Sequence, residues 1–217
     1  MAALVCKGPV FLGNLDSPMP RTLSQTQVED FRDRLIEAAT RLFAERGREA
    51  FTMRQLAAEL GCSAMTPYRY FKDKDEILAA VRASAFDNFA EVIEHAFNNA
   101  KDAAERGAAV GNAYVKFAFE HPEAYKLMFD LSQPDESAYP DLVRASKRAR
   151  STMTHYVSDL VAAGILEGNP LTIGLVFWAA MHGAVVLQLA GKLADFDFET
   201  LRGEIFRALF MAYAKKA

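Results

Sequence analysis

Cysteine is scarce in this 217-residue chain, which has only Cys6 and Cys62. The two residues stand 56 positions apart without CxxC spacing, so the sequence indicates neither a disulfide framework nor a zinc knuckle. The four histidines are scattered without a metal-ligand pattern, and we expect no metal site. A reducing, cytoplasmic setting fits this composition best.

Uninterrupted apolar runs are also missing. No stretch approaches the roughly 18 to 20 consecutive apolar residues of a membrane span, so we expect no membrane association. Near the N-terminus, Lys7 precedes a short apolar run that Gly8 and Pro9 already break, which does not match a signal peptide. We interpret residues 1–24 as a flexible extension. Hydrophobic residues make up 51% of the chain, enough to bury a substantial core.

The sequence motifs of common enzymes are absent as well. The chain contains no GxSxG, HExxH or Walker pattern, so we expect neither an enzyme nor a bound cofactor. The net charge is −3, but residues 21–82 carry 11 Lys/Arg against 10 Asp/Glu, while residues 83–217 carry 13 against 17. The small positive balance lies at the front of the chain, although nucleic-acid binding depends on which face carries the charges.

Apolar residues recur at helical spacing along almost the whole chain, and no segment keeps the period-two alternation of a half-buried strand. The sequence therefore predicts an all-α protein. Glycine, proline and capping residues divide it into about nine helices, over residues 28–46, 52–61, 63–71, 74–100, 110–120, 123–129, 142–163, 171–189 and 198–213.

Residues 52–71, reading TMRQLAAELGCSAMTPYRYF, predict two short helices with Gly61 at the corner. Glycine permits the positive φ of a tight turn between helices, and Ala57 is small where the two helices approach, so the pattern is typical of a helix-turn-helix. Either Ser63 or Thr66 caps the second helix, with Pro67 in its first turn. That helix would present a short polar and aromatic surface to the major groove of DNA.

Residues 32–78 resemble the DNA-binding head of TetR-type transcriptional regulators. The resemblance implies an all-helical homodimer with a three-helix head, residues 25–82, and a larger C-terminal body, residues 83–217, which dimerises and binds a small-molecule effector. The positions that carry it are Ala39, Leu42, Phe43, Gly47, Thr52, Leu56, Ala57, Gly61, Ser63, Tyr68, Arg69, Phe71, Lys74 and Leu78.

The same resemblance implies which residues contact double-stranded DNA. Ala64 stands where a basic residue is common and Pro67 where an aliphatic one is common, so base reading is expected to rest on Thr66, Arg69 and apolar contacts with thymine methyl groups. The resemblance also implies phosphate contacts for Thr52 and Lys74. It implies backbone contacts for Tyr68 and Tyr70, and for Arg54 a contact with either the backbone or a base. The candidate DNA-binding residues are Thr52, Arg54, Ser63, Ala64, Met65, Thr66, Tyr68, Arg69, Tyr70 and Lys74.

The segment 114–129 and the run Trp178–Gly183 resemble the effector domain of a TetR subfamily named for its Trp-His-Gly pattern. Trp178 and His182 are four residues apart and share one helical face, and Gly183 is expected to let a neighbouring helix come close. The pair either lines an effector pocket or packs in the core or dimer interface. The candidate pocket residues, which core packing explains equally well, are Phe86, Phe89, Phe117, Tyr125, Met128, Phe129, Phe177, Trp178, Met181 and His182.

The combined prediction is a homodimeric DNA-binding regulator. It would act as a repressor that a hydrophobic small molecule releases from a pseudo-palindromic operator, with the last two helices forming a four-helix dimer interface. The alternative that stays open is a helical dimeric interaction module without DNA binding.

Overall fold

A computed structural model describes residues 24–130 and 135–215, and it is all-helical, as the sequence predicts. Within these ranges there are eight α-helices and two 3-10 helices. Leu166 and Ala214 also form an isolated antiparallel β-bridge. The predicted N-terminal extension lies almost wholly outside the described residues. The helices are α1 Gln25–Ala50, α2 Met53–Glu59, α3 Lys74–Asn99, α4 Ala103–Glu120, α5 Pro122–Phe129, α6 Pro140–Ala162, α7 Pro170–Leu189 and α8 Phe198–Tyr213, with 3-10 helices at Pro67–Arg69 and Glu136–Ala138.

Side-chain caps fix where the helices begin. Thr52 opens α2, and its hydroxyl accepts from the Gln55 N–H at 3.2 Å while the Gln55 side chain accepts from the Thr52 N–H at 2.9 Å. Asp73 caps α3 by accepting from the Glu76 N–H at 2.9 Å. The Glu76 side chain accepts from the N–H of Lys72 rather than from that of Asp73, so the reciprocal bond of a capping box is not formed.

Two glycines take positive φ where the sequence requires sharp changes of direction. Gly47 has φ +72° and interrupts α1 near its end, and Gly61 has φ +63° at the corner after α2. A Cβ atom at either position would meet no atom of the described residues within 4 Å, so it is the backbone conformation and not crowding that favours glycine there.

The buried side chains form a small core in the head and a larger one in the body. The head core joins α1, α2 and the first turns of α3, and it also takes in Leu127 from α5. The body core surrounds the rest of α3 and packs it against α4, α5 and α6. Helix α3 therefore runs from one core into the other, and α5 contributes side chains to both.

Helix α7 is apolar on every side but only partly covered. Its length and average composition would allow it to cross a membrane, although His182 and Gln188 interrupt its apolar run, and 22% of that stretch is buried within this chain. These two properties alone are weak evidence for a membrane span, because core helices of globular proteins share them. The exposed apolar residues of α7 and α8 are Leu171, Leu175, Val186, Leu187, Phe206 and Met211.

The close helix approach expected at Gly183 occurs at another glycine. A Cβ atom at Gly183 would meet no described atom within 4 Å, whereas one at Gly174 would lie 2.9 Å from the Cα of Thr154. Helices α6 and α7 thus touch through backbone at Gly174, and the expectation for Gly183 is wrong within this chain.

Candidate nucleic-acid interface and effector cavities

The hook formed by residues 52–71 contains one α-helix and one tighter turn. After α2, the N–H of Cys62 donates to the Ala57 carbonyl at 2.9 Å and closes the corner. The Thr66 N–H then donates to the Ser63 carbonyl at 2.8 Å, a bond of 3-10 type. The second helix of the motif is therefore a 3-10 helix, Pro67–Arg69, flanked by turns, and the prediction of a regular helix over 63–71 is wrong in its hydrogen bonding.

Pro67 is the physical reason for this tightening. In an α-helix capped by Ser63, the amide of residue 67 would donate to the Ser63 carbonyl, but proline has no N–H. The carbonyl accepts from Thr66 instead. The Pro67 ring is buried, and its own carbonyl accepts from the N–H groups of Tyr70 and Phe71, both at 3.0 Å. The proline thus shortens the helix while anchoring it to the head.

Most of the candidate DNA-binding residues are exposed at the surface of the hook. The side chains of Met65 and Tyr68 are strongly exposed, at 67% and 48%, which is unusual for large apolar groups. Such exposure is typical of contact surfaces. The exposed members are Thr52, Arg54, Ser63, Ala64, Met65, Tyr68 and Arg69, and the half-buried members are Thr66, Tyr70 and Lys74.

Two of the half-buried residues also support the head itself. The ring of Tyr70 packs against Phe31 with centroids 5.2 Å apart, and the Nζ atom of Lys74 donates to the Glu49 carbonyl at 3.4 Å. Each therefore joins the end of the motif to α1, whatever else it contacts.

Two cations of this surface are unpaired. Neither Arg54 nor Arg69 has an acidic partner or a hydrogen bond among the described residues, and both are exposed. Guanidinium groups in this state keep all five donors available for phosphate oxygens or guanine edges. The hook carries these two arginines against one carboxylate, Glu59, a balance of +1 in a chain whose net charge is −3.

The candidate pocket residues do not form one cavity. Phe86, Phe89, Phe117 and Met128 are core residues: Phe89, for example, meets the Phe117 ring edge to face at 5.2 Å. Phe177, Trp178 and Met181 line a cavity of about 60 Å³ between α4, α6, α7 and α8. Tyr125, Phe129 and His182 line a different and larger space.

That larger space, which we call the junction cavity, lies between the head and the body. Its volume is about 560 Å³, within the range of roughly 300–1,000 Å³ that small-molecule sites occupy. The last turns of α1 form one wall, and α5 with the second half of α7 form the others. The residues that line it are Phe43, Ala44, Gly47, Arg48, Glu123, Tyr125, Lys126, Leu127, Phe129, Asp130, His182, Val186, Leu189 and Ala190.

A buried polar triangle lies behind the junction cavity. The hydroxyl oxygens of Tyr114 and Tyr125 are 2.5 Å apart, and the Nδ1 atom of His182 lies 2.7 Å from that of Tyr125 and 3.3 Å from that of Tyr114. Desolvation raises the pKa of Tyr114 to about 12, raises the pKa of Tyr125 well above its ordinary value and lowers the pKa of His182. All three groups are consequently neutral at pH 7.

Trp178 lies beside this triangle. Its indole N–H is buried and forms no hydrogen bond with any acceptor among the described residues. It nevertheless lies close to the Tyr114 hydroxyl, and it partly offsets the rise that desolvation causes in the pKa of Tyr114. The adjoining cavity of about 60 Å³ can admit water but not a drug-sized molecule. Trp178 and His182, which share a helical face, thus face two different spaces.

Sequence reasoning missed Arg82, which joins the two cores. It is 4% exposed on α3, and its Nε and Nη2 atoms donate to the carbonyls of Leu127 and Met128 at 3.2 and 3.3 Å, while Nη2 also contacts Glu136 at 2.6 Å. A cation at the C-terminal end of α5 satisfies carbonyls that the helix leaves unpaired. The available signal was an arginine on the apolar face of α3.

Both halves of the chain match models of known protein families. Residues 35–81 match the model of the bacterial regulatory proteins of the tetR family, and residues 108–213 match that of the tetracyclin repressor-like C-terminal domain. The second range includes both body segments that carry the resemblance described above.

Individual relatives are distant but cover much of the chain. An uncharacterized HTH-type transcriptional regulator of Mycobacterium tuberculosis is 23% identical over 171 residues, 78% of this chain and 75% of its own. The HTH-type transcriptional activator FasR of Mycolicibacterium smegmatis is 28% identical over 134 residues, 62% of this chain and 60% of its own. A structure from Rhodococcus sp. RHA1, of unknown function, has a TM-score of 0.75 at 28% identity, covering 84% of this chain and 95% of that one.

Proposed function

The chain belongs to the TetR family of bacterial transcriptional regulators and is a DNA-binding regulator, and from that premise we propose that it is a homodimeric repressor released from a pseudo-palindromic operator by a small molecule. It acts in the cytoplasm, where the DNA is, and carries out no catalysis. Its head and body are the units 25–82 and 83–217.

The observation that carries the proposal is the exposed surface of the hook. Arg54 and Arg69 project there without acidic partners among the described residues, beside the exposed rings and chains of Met65 and Tyr68. Unpaired guanidinium groups supply the sequence-independent attraction to phosphates, and an apolar side chain can contact a thymine methyl group. The short 3-10 helix enters the major groove, with Arg69 and Thr66 reading bases.

Dimerisation follows from the uncovered apolar surface of α7 and α8. Leu171, Leu187 and Met211 are 58%, 45% and 70% exposed, and an apolar face of this kind is stable in water only when another surface covers it. A second copy of the same helices supplies that cover and forms a four-helix interface. The two hooks then contact successive major grooves about 34 to 36 Å apart, or a multiple of that distance.

Effector control needs a connection from the body to the hooks, and α3 supplies it. The helix begins at Lys74, next to the hook, and its 26 residues span roughly 39 Å at 1.5 Å per residue. A ligand shifts the equilibrium only if it binds the DNA-incompetent arrangement more tightly. By reciprocity, operator DNA weakens effector binding by the same factor.

The proposed direction of regulation is repression. Repression follows when an operator overlaps a promoter, whereas the relative FasR is named as an activator. A transcription assay in vitro with purified polymerase and the selected operator separates the two. We expect transcription to fall on addition of this protein, and a rise would identify an activator.

The test of DNA binding is selection of bound fragments from the genome of the source organism, followed by gel shifts at several salt concentrations and by sedimentation. We expect a palindromic footprint, one dimer per site and affinity that falls steeply with salt. Fragments that show no salt-sensitive retention, with a dimer still present, would favour the alternative interaction module.

A further inference from the structure

Resting on the function proposed above, we propose that the junction cavity is the effector site, and that the effector is a neutral, largely apolar molecule with one carbonyl-type hydrogen-bond acceptor. The sequence predicts this site among the body helices alone. The junction cavity differs because α1 of the head forms one of its walls, through Phe43, Ala44 and the turn at Gly47.

A wall from the head matters because a regulatory ligand must distinguish two positions of the head. A molecule that touches only the body has no direct contact that changes when α1 moves. In the junction cavity, a ligand touches α1 on one side and α5 and α7 on the other. Since Leu127 of α5 packs in the head core and Arg82 of α3 binds the end of α5, the cavity walls are also the elements that join the two cores.

The other spaces in the described residues fit such a ligand less well. The groove of about 350 Å³ between α3 and α6 is lined by no head residue, and the cavity of about 250 Å³ between α4, α6, α7 and α8 lies wholly in the body. A groove of about 390 Å³ also touches head and body, but Arg32, Lys72, Asp73, Glu76 and Asp141 line it. Its charged rim favours water over an apolar ligand.

The buried triangle determines which hydrogen bond His182 offers to the cavity. If Nδ1 is the acceptor, the Tyr125 hydroxyl donates to it and the Tyr114 hydroxyl donates to the Tyr125 oxygen, so both hydroxyl protons are used. If Nδ1 carried the proton, one of the two tyrosine hydroxyl protons would be left without an acceptor in the triangle. The first arrangement places the remaining imidazole proton on Nε2, which has no acceptor among the described residues.

The charges of the rim explain why the ligand is neutral. The Nη2 atom of Arg48 lies 3.0 Å from Asp75, and the Nζ atom of Lys126 lies 3.1 Å from Glu123, so these cations already have carboxylate partners. An anionic ligand would have to displace one of them. An acceptor without charge, such as an ester, ketone, lactone or amide carbonyl, pairs with the Nε2–H of His182 at no such cost.

Nile red is a suitable probe because it is neutral, apolar and carries a ring carbonyl. The chain has a single tryptophan, Trp178, one helical turn from His182, so dye in the junction cavity accepts energy from it when excited at 295 nm. The test variants are Ala44→Phe, which fills the cavity from α1 without touching the triangle, and His182→Leu, which removes the donor. The matched control is Ser151→Phe, which fills the α3–α6 groove.

We expect saturable dye binding, weakened at least about tenfold by Ala44→Phe and by His182→Leu and unchanged by Ser151→Phe. His182→Gln, whose amide both accepts and donates, should restore part of the affinity lost in His182→Leu. If His182→Leu fails to fold in a thermal melt, the result for Ala44→Phe decides. Absence of dye binding, unaltered affinity in Ala44→Phe or an equal loss in Ser151→Phe would each overturn the site.

Gel shifts on the same proteins separate this proposal from the proposed function. Retention of selected DNA fragments with unaltered dye affinity in Ala44→Phe overturns the site and leaves the regulator intact. Loss of all DNA retention in the wild type, with dye binding that responds as expected, overturns the regulator and leaves a junction ligand site.

Discussion

The hook of the head and the contact between α3 and α6 in the body use arginine in opposite ways. On the hook, Arg54 and Arg69 are exposed and without acidic partners in the part of the chain that the structure describes. In the body, Arg144 and Arg148 of α6 reach across to α3, where they bind Asp87 at 2.8 and 3.2 Å, and Arg148 also binds Glu94 at 2.5 Å. Cations are thus held available in one region and consumed in the other.

The difference shows what each region must do. The guanidinium groups of Arg144 and Arg148 hold the pKa of Asp87 below its ordinary value, so this carboxylate stays ionised and keeps α3 and α6 in one arrangement. A phosphate-binding surface needs the reverse, since a cation already paired must break that pair before it binds DNA. Substitutions of paired and unpaired arginines test this contrast between the hook and the body.

The largest effect is expected at Arg82, the buried arginine that joins the two regions. Replacing it with Met keeps most of its volume but leaves the Leu127 and Met128 carbonyls without their donor. We expect the free energy of unfolding to fall by about 3 kcal/mol, because two carbonyls lose their buried donor and the half-exposed Glu136 loses its cation. Urea unfolding followed by circular dichroism measures this loss.

The control is Arg144→Met, which removes an exposed arginine from its pair with Asp87. Exposed ion pairs contribute little, so we expect a loss of about 0.5 kcal/mol or less. Equal losses in the two variants would show that the burial of Arg82 has no special consequence.

The next effect concerns how closely the body helices pack. In Gly174→Ala the new Cβ atom lies 2.9 Å from the Cα of Thr154, so α6 and α7 must move apart, and we expect a loss of about 2 kcal/mol. Gly183→Ala meets no described atom within 4 Å and should stabilise the helix by about 0.5 to 1 kcal/mol. Thermal unfolding of the two variants, at equal protein concentration, measures both changes in stability. A loss of stability in Gly183→Ala that depends on protein concentration would locate Gly183 in the dimer interface.

These two glycines also show where sequence reasoning stops. Both stand in an apolar helix, and periodicity cannot tell which one meets a neighbour, because that depends on the crossing point with α6. Local signals performed better: Gly61 takes the positive φ that the sequence predicts for the corner of the hook. The start of α4 was missed by two turns, although Asp102, whose carboxylate accepts from the Glu105 N–H at 2.9 Å, marks it.

The candidate sites divide along the same line. The hook was predictable because its residues are close in sequence, and the one error there, a regular second helix, came from not following the missing amide of Pro67 to the Ser63 carbonyl. The pocket was not, because aromatic residues look alike in a core and in a cavity wall. Only the fold separates Phe89, which is core, from Phe129, which lines the junction cavity.

A smaller effect, on affinity rather than stability, is expected at Arg69. Arg69→Ala removes an exposed, unpaired guanidinium group, so we expect operator affinity to fall about tenfold, with a smaller loss on unrelated DNA if the residue reads a base. The matched control is Arg150→Ala, which removes an exposed arginine from α6 in the body. Gel shifts on both sequences measure the change, and an equal loss in the two variants would remove the hook from the DNA contact.

The smallest effect concerns pH and the triangle behind the junction cavity. Desolvation lowers the pKa of His182 from the ordinary value of 6.5, so the unfolded chain takes up this proton at a higher pH than the native protein does. The free energy of unfolding should therefore fall as the pH decreases from about 7 through the ordinary value, and level off once the native imidazole is also protonated. The loss should be smaller than the effects above, because the ring is half exposed. His182→Gln, which cannot titrate, should flatten this segment of the urea-unfolding profile, and an unchanged slope in that variant would assign the pH dependence to other groups.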